Sequence, residues 1–321
     1  MFSKYYYSVS LLAVVLVSCQ TSKPFKLALL PDTQSYTQHN PHIFKAQTQW
    51  LADNPQDFAF VIQQGDITDW NAPEQWENAV AAFSILDGKL PYTFVPGNHD
   101  MGNNADVRNL DNMNKYFPYE KYSKMPHFGG AFEVGKMENT YHTFKAGGKN
   151  WLILSLEFGP RNKVLAWAEE IIKKYPKHKV IINTHAYMYS DDTRMGEGDT
   201  WLPQSYGIGK ATGDEAANDA EQMWTKFVSK YENILLVVSG HVLHSGVGTL
   251  VSDGAKGNKV YQMLANYQWG VDDADEGRTG YMRILTIDVK KGVIDVKTYS
   301  PYLNKYNTKP NQQFRFENVK F

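Results

Sequence analysis

Five polar clusters stand directly behind five apolar runs. Leu30 is followed by Pro31-Asp32-Thr33-Gln34, and Gln64 by Gly65-Asp66-Ile67-Thr68-Asp69. Val95 is followed by Pro96-Gly97-Asn98-His99-Asp100, Thr184 by His185, and Ser239 by Gly240-His241-Val242-Leu243-His244. Carboxylates, carboxamides and imidazoles are the oxygen and nitrogen donors that transition-metal ions accept. Taken singly, a Gly-Asp pair is a turn, and a strand-end histidine is a hydrogen-bonded polar residue. Five clusters in this order, each after an apolar run, point to one metal-organised centre. The glycines allow sharp turns and a close approach of backbone to a ligand.

Residues this far apart in sequence must be brought together by the elements that carry them. The short apolar runs 26–30, 58–63, 92–95, 151–156, 179–184 and 234–239 read as buried strands. Asn71 is placed to cap a helix that begins near Pro73, with Trp76, Val80, Phe83 and Leu86 on one face. Val164, Leu165, Ala168, Ile171 and Ile172 predict a second helix, closed by Pro176. Met223, Trp224, Phe227, Val228 and Tyr231 predict a third. Strands alternating with helices give an α/β class. Sites in such sheets form outside the carboxyl ends of the strands, so five strand ends can converge on one cleft. The runs 259–264, 283–288 and 293–299 have few helices between them and predict a second, more antiparallel sheet. The polar, Gly-rich stretch 190–219 is the longest expected loop.

The chain has 321 residues, 42% hydrophobic and 14% aromatic, enough for a substantial core. Its formal net charge of -1 gives no cationic surplus, so no nucleic-acid groove is expected. Small anionic substrates remain possible, because bound cations supply a local positive field. Cys19 is the only cysteine, which excludes a cysteine nucleophile in the folded body. It follows Lys4 and the apolar run 9–17, which is too short for a comfortable membrane span and is built like a signal peptide. Leu16-Val17-Ser18-Cys19 resembles a lipobox. That resemblance implies a lipoprotein signal peptide over 1–18, a tether over 19–25 and one domain over 26–321. It also implies membrane attachment through a lipidated Cys19, and a place in the cell envelope on the outer-membrane or periplasmic side.

The ordered clusters resemble the calcineurin-like metallophosphoesterase family over most of residues 25–300. The resemblance implies an α/β four-layer sandwich of two mixed β-sheets flanked by helices. It implies two metal ions, with Mn, Fe or Zn suited to the mixed oxygen and imidazole donors. Asp32 matches a ligand of the first metal, and Asp66 a carboxylate shared by both. Asn98, His185 and His241 match ligands of the second. His99 matches the histidine that assists the leaving group, and Asp69 the acid that orients it. Such a centre holds its cations about 3.5–4 Å apart and presents a metal-bridged hydroxide to phosphorus. His99 then protonates, or hydrogen-bonds to, the departing oxygen.

Two positions depart from the family pattern. Gln34 stands where an Asp-x-His motif has histidine, and Leu243 where Gly-His-x-His has its second histidine, with His244 one residue later. Both changes fall on the first metal, whose site is expected to be weaker or rebuilt from Gln34 and His244. A one-residue shift on a strand or tight loop usually turns a side chain the other way, so His244 is equally read as a surface or supporting residue. This version of the motifs resembles a subgroup of envelope-targeted bacterial proteins. They pair Pro-Asp-Thr-Gln with segments like Asn139-Thr140-Tyr141, Glu157-Phe158-Gly159-Pro160-Arg161, Leu264-Ala265-Asn266-Tyr267-Gln268 and Thr298-Tyr299-Ser300-Pro301. Within them Arg161 is read as a phosphate clamp, for its planar fork of donors, or equally as a surface residue at a helix N-terminus. Asn266, Tyr267 and Gln268 follow an apolar run and are read either as lining the cleft, with Asn266 a substrate contact, or as a strand end with satisfied amides, the reading preferred for Tyr267. Asp272, Asp273, Asp275 and Glu276 lack the spacing of a calcium loop and read as a solvated loop. His39, His42, His127, His142 and His178 read as structural or exposed.

The expected function is metal-dependent hydrolysis of a phosphomonoester or phosphodiester, carried by a small molecule or a glycan, outside the cytoplasm. The alternative is a non-catalytic phosphate- or glycan-binding lipoprotein with a degraded metal site. The intact Asp66, Asn98, His99, His185 and His241 favour the enzyme, because binding alone needs no leaving-group histidine.

Overall fold

The structure is a computed structural model that describes residues 1–2 and 23–321. Cys19, the lipobox and the expected signal segment beyond residue 2 lie outside the described residues. Among those described, no helix is long and apolar enough to cross a membrane.

The apolar runs are strands because both of their faces are buried. Leu27 and Leu29 of β1 (Phe25–Leu30) point one way, and Ala28 and Leu30 the other. The same split occurs in β2 (Phe58–Gln63), where Phe60 and Ile62 oppose Val61. One set fills the space between two sheets; the other lies beneath helices. A strand covered on both faces reads as a continuous hydrophobic run, since its side chains alternate with period two. Helices α1 (Gln34–His39) and α2 (Pro41–Asp53) lie between β1 and β2, and α3 (Pro73–Phe83) follows β2. Phe44 of α2 and Phe83 of α3 meet edge to face, and Trp50 of α2 packs on Phe58. This layer covers the first sheet.

That sheet also contains β3 (Tyr92–Thr93). The short helices α4 (Asp111–Tyr116) and α5 (Tyr119–Tyr122) lead into the second sheet through β4 (Phe128–Ala131), β5 (Thr140–Ala146) and β6 (Lys149–Leu156). Helix α6 (Asn162–Lys174) follows, then β7 (Lys179–Thr184), α7 (Ala220–Lys226), β8 (Ile234–Ser239), β9 (Val247–Asp253) and β10 (Lys259–Ala265). The chain ends with β11 (Met282–Asp288), β12 (Val293–Ser300), β13 (Lys305–Asn307) and β14 (Gln313–Phe316). The first sheet runs β13-β12-β11-β1-β2-β3 with β14 on β12, and the second runs β4-β5-β6-β7-β8-β10-β9. Both are mixed: β1-β2-β3 and β6-β7-β8-β10 are parallel, and the other pairs are antiparallel. The expected four-layer sandwich is therefore present.

Between the sheets Leu29, Phe60, Ile62, Ile153, Leu236 and Leu285 form one apolar layer. Burying each such side chain stabilises the fold by about 1.5–3 kcal/mol. Phe60→Ala, at the centre of this layer, should cost about 3–5 kcal/mol.

Three local expectations are corrected. The last strands do not form a sheet of their own. β10 joins β8 in the second sheet, and β11 joins β1 in the first. The C-terminal third extends both sheets: β10 continues the parallel run of the second, and β11 and β12 add antiparallel strands to the first. Asn71 does not cap α3, whose N-cap is Ala72 with Pro73 at the first turn. Its amide instead spans a loop, donating to the Gly102 carbonyl and accepting from the Trp76 indole. The third predicted helix stops at Lys226, beyond which Val228–Lys230 is a single 3-10 turn.

Candidate metal centre

The five polar clusters meet at one edge of the sandwich. β1, β2 and β3 are parallel in the first sheet, and β7 and β8 in the second, so their carboxyl ends share that edge. Hydrogen bonds join the two sheets there. Asn183 Nδ2 donates to the Gln63 carbonyl at 2.9 Å, His185 Nδ1 to the Gln64 carbonyl at 2.8 Å, and the His241 amide to Asp32 Oδ2 at 2.9 Å. Asp100, next to His99, accepts from the amides of Ile67, Thr68 and Gly97 and so clamps the second cluster to the third.

His185 Nε2 is the convergence point. It lies 3.1 Å from Asp66 Oδ2, 3.1 Å from Asn98 Oδ1 and 3.1 Å from His241 Nδ1. Each donor is aimed by a bond on its far side. The Gln64 carbonyl takes the Nδ1 proton of His185, leaving Nε2 for the centre. The Trp201 carbonyl takes the Nε2 proton of His241 at 2.9 Å, leaving Nδ1. Asn98 donates through Nδ2 to Asn104 Oδ1 at 2.7 Å, which turns its oxygen inward. Bonds of this kind fix tautomer and ring orientation in metal sites.

The backbone is bent to the same end. Asp32, Asp66 and His241 all have positive φ, at 26°, 47° and 75°. Such conformations cost energy in non-glycine residues and gather at functional sites. Two glycines make room: a Cβ on Gly97 would stand 2.0 Å from Asp66 Oδ1, and one on Gly240 1.8 Å from Asp32 Oδ1.

These residues fit a metal. The ligand atoms of Asp66, His185 and His241 lie within 4.8 Å of one another, and all three residues are buried. Asp32 Oδ1 and Gln34 Oε1 are buried acceptors with no hydrogen-bond partner, a costly state that a cation relieves. The charges are strongly coupled. Burial pushes the Asp66 carboxyl up, but His185 and His99 beside it outweigh that and hold it below the usual carboxylate range. Burial drives Asp32 up to about 8. Burial also lowers His185, yet the Asp66 and Asp32 carboxylates and the bond to the Gln64 carbonyl raise it to about 9. His241, desolvated beside a cationic His185, falls to about 3. A carboxylate and an imidazolium held this tightly mark a place where a metal ion replaces a proton.

His99 borders a cleft of about 190 Å³ that is also lined by Asp66, Asn98, Asn104, Trp201, Tyr206, His241, Leu243 and Gln268. Its Nδ1 donates to the main-chain carbonyl of Asp69 at 2.7 Å, while the Asp69 carboxylate is 3.5 Å away. The expected orienting acid therefore works mainly through its backbone. Its carboxylate accepts from Gln34 Nε2 at 2.9 Å. Burial lowers the His99 pKa, but Asp66 and the contacts with Asp69 outweigh it and raise it above the usual imidazole value.

The remaining expected positions divide. Gln34 is at the centre, with its nitrogen on Asp69 and its oxygen unpartnered. His244 is not. It is exposed at φ 58°, and its ring lies 5.2 Å from that of Trp201. The one-residue shift has turned it away, and Leu243 borders the cleft instead. Arg161 is no phosphate clamp: Nε and Nη2 bind Glu157 at 2.7 and 3.2 Å, and Nη1 binds Glu215 at 3.1 Å. It borders a different cavity, of about 430 Å³. Asn266 is buried with its amide spent on the Val242 carbonyl and the Gln268 amide, so it shapes a loop, and Gln268 reaches the cleft. Trp201, Tyr206 and Asn104 went unrecognised in the sequence because they come from loops without regular spacing. Asp100 had a signal, its place directly after His99.

Comparison with known proteins assigns the family and the fold. The profile of the calcineurin-like phosphoesterase family matches residues 25–245. The uncharacterised protein YvnB of Bacillus subtilis (strain 168) is 30% identical over 287 residues, which is 87% of this chain and 20% of that protein. The chain thus spans about a fifth of that relative's length. The purple acid phosphatase PPD1 of yellow lupin (Lupinus luteus) superposes with a TM-score of 0.55 at 14% identity, covering 92% of this chain and 54% of that one. That likeness concerns the fold of two mixed sheets flanked by helices.

Proposed function

As a member of the calcineurin-like phosphoesterase family, the chain carries a metal-dependent phosphoesterase domain, and we propose that it hydrolyses phosphoesters outside the cytoplasm with two metal ions of unequal affinity. The observation that carries this reading is the convergence of Asp66, Asn98 and His241 on His185 Nε2, beside a cleft that His99 borders. The bound metals would supply Lewis-acid activation of water and neutralise charge on the phosphoryl oxygens. Asp66, Asn98, His185 and His241 would hold one ion, and Asp32 and Gln34, with Asp66 shared, the other.

His99 supplies the proton. The Asp69 carbonyl accepts from Nδ1 and so leaves Nε2 as the nitrogen free to face a departing oxygen. Despite burial, Asp66 and the contacts with Asp69 raise its pKa above the usual imidazole value, which favours the protonated form that a general acid requires. Gln34 steadies this arrangement by holding the Asp69 carboxylate. Trp201 holds His241 in its tautomer through its own carbonyl. The test is hydrolysis of nitrophenyl phosphate and bis-nitrophenyl phosphate with and without Mn2+, beside a metal analysis. Full activity in chelator would end the reading.

The place of action rests on Cys19. Lipidation there would tether the domain to an envelope membrane. Cys19→Ser should leave the signal uncut or release the protein. A Cys19→Ser protein still bound to membranes through lipid would overturn this part.

A further inference from the structure

Two of the eight tryptophans of the chain are largely in water: Trp70 is 66% exposed and Trp269 70%. Each adjoins, in sequence, a residue of the candidate site. Trp70 directly follows Asp69, whose carbonyl holds His99. Trp269 directly follows Gln268, which borders the cleft. Side chains of one short segment reach both loops. Gln34 donates to the Asp69 carboxylate, and its neighbour Ser35 accepts the Trp269 amide at 2.9 Å. The first turn of α1 thus joins the two loop segments that carry these tryptophans. A scattered exposed leucine needs no explanation, but two exposed indoles on joined segments that also carry residues of one candidate site do.

Their surroundings select the occupant. Asp272, Asp273, Asp275 and Glu276 follow Trp269 within seven residues. Arg278 is engaged by Asp275 and Glu276, and Lys309 by Asp273. The rim beyond the metals is therefore acidic, which repels a second phosphate, a nucleic-acid strand or an anionic lipid surface. A neutral ring that stacks on indole and hydrogen-bonds at its edges is compatible with both features. Trp269 lines a recess of about 390 Å³ with His39, Asn40 and the paired Glu276 and Arg278, which supply polar edges.

We infer that Trp70 and Trp269 stack the neutral sugar portion of the substrate, so that the phosphoester cleaved here belongs to a saccharide. This inference rests on the phosphoesterase reading and names its substrate class. The phosphoryl group lies at the metal centre, and the sugar ring extends over the α1 rim.

The experiment compares kcat/KM of the full chain with Mn2+ for a neutral hexose phosphate, an N-acetylhexosamine phosphate, glycerol phosphate and AMP. Nitrophenyl phosphate is unsuitable as the ringless control because its own ring stacks. The unphosphorylated sugars are titrated in parallel against tryptophan fluorescence. The sugar esters should exceed glycerol phosphate, and Trp70→Ala and Trp269→Ala should each lower that ratio about three- to tenfold, mostly through KM. Trp70→Phe and Trp269→Phe, which keep a ring, should restore part of it. An unchanged ratio in both alanine variants overturns the inference, as does AMP as the best substrate with the same tryptophan dependence. If no ester at all is hydrolysed while the sugars still perturb fluorescence through these two residues, the hydrolase reading fails and the stacking surface stands.

Discussion

The two halves of the candidate metal centre, around His185 and around Asp32, differ in how they are built. Around His185 every donor is aimed by a bond on its far side: Gln64 behind His185, Trp201 behind His241, Asn104 behind Asn98. Around Asp32 the shell is thinner. Gln34 divides its amide between Asp69 and an unpartnered oxygen, and His244 points into solvent against Trp201. The first half is preorganised and rich in imidazole; the second offers carboxylate and carboxamide oxygens. Affinity and selectivity follow donor type and rigidity, so the two halves should hold metal unequally.

The comparison can be broken first at the residue both halves share. Asp66→Ala should remove metal from both and lower activity by at least about 10³-fold, read by metal analysis beside nitrophenyl phosphate turnover. His99→Ala should lower the rate about 10²–10⁴-fold with both metals retained, and less for a nitrophenol ester, whose good leaving group barely needs a proton. Asp69→Asn should cost less than about tenfold, because the bond that orients His99 comes from the Asp69 main chain. A loss as large as that of His99→Ala would restore the carboxylate to the orienting role.

Gln34→His sharpens the contrast from the other side. It returns an imidazole to the thinner half and should tighten the weaker metal about tenfold in a Mn2+ titration. The gain comes with the loss of the Asp69 contact, so the rate at saturating metal should not rise in proportion.

Acid should act on the fold away from the centre. Burial pushes His127 down to about 4, and His142, buried between the sheets, well below its usual value. Both folded values are depressed, so their stabilising contribution is present above pH 6.5 and is lost as the pH falls towards 4. His127 alone should account for up to about 3 kcal/mol of that loss, measured by denaturation at pH 7 and pH 4.5. His127→Phe should flatten this dependence. The smallest effect belongs to His244→Ala, which should stay within about twofold in activity and metal content. A larger change would return His244 to the centre.

Much of this was legible because the strand-end clusters are contiguous. Asp66-Ile67-Thr68-Asp69 and Asn98-His99-Asp100 need only a strand before them to reach the cleft edge. The two-sided burial of β1 and β2 also shows in the sequence, as runs without alternation. What depends on the third dimension did not show. No local pattern says that the Trp201 carbonyl, 40 residues away, fixes the His241 tautomer. Arg161 carries the right donors, but Glu157, four residues earlier in the loop that leads into α6, takes them. β10 and β11 are both apolar, so their assignment to one sheet or the other waits on packing.

The claim of unequal metal sites is tested most directly by titrating the metal-free protein with Mn2+, with calorimetry for affinity and elemental analysis for stoichiometry. The account predicts two ions per chain in two resolved steps, with Gln34→His drawing the weaker step towards the tighter. Two equally tight sites in the wild-type protein, or no metal bound alongside full activity in chelator, would contradict it.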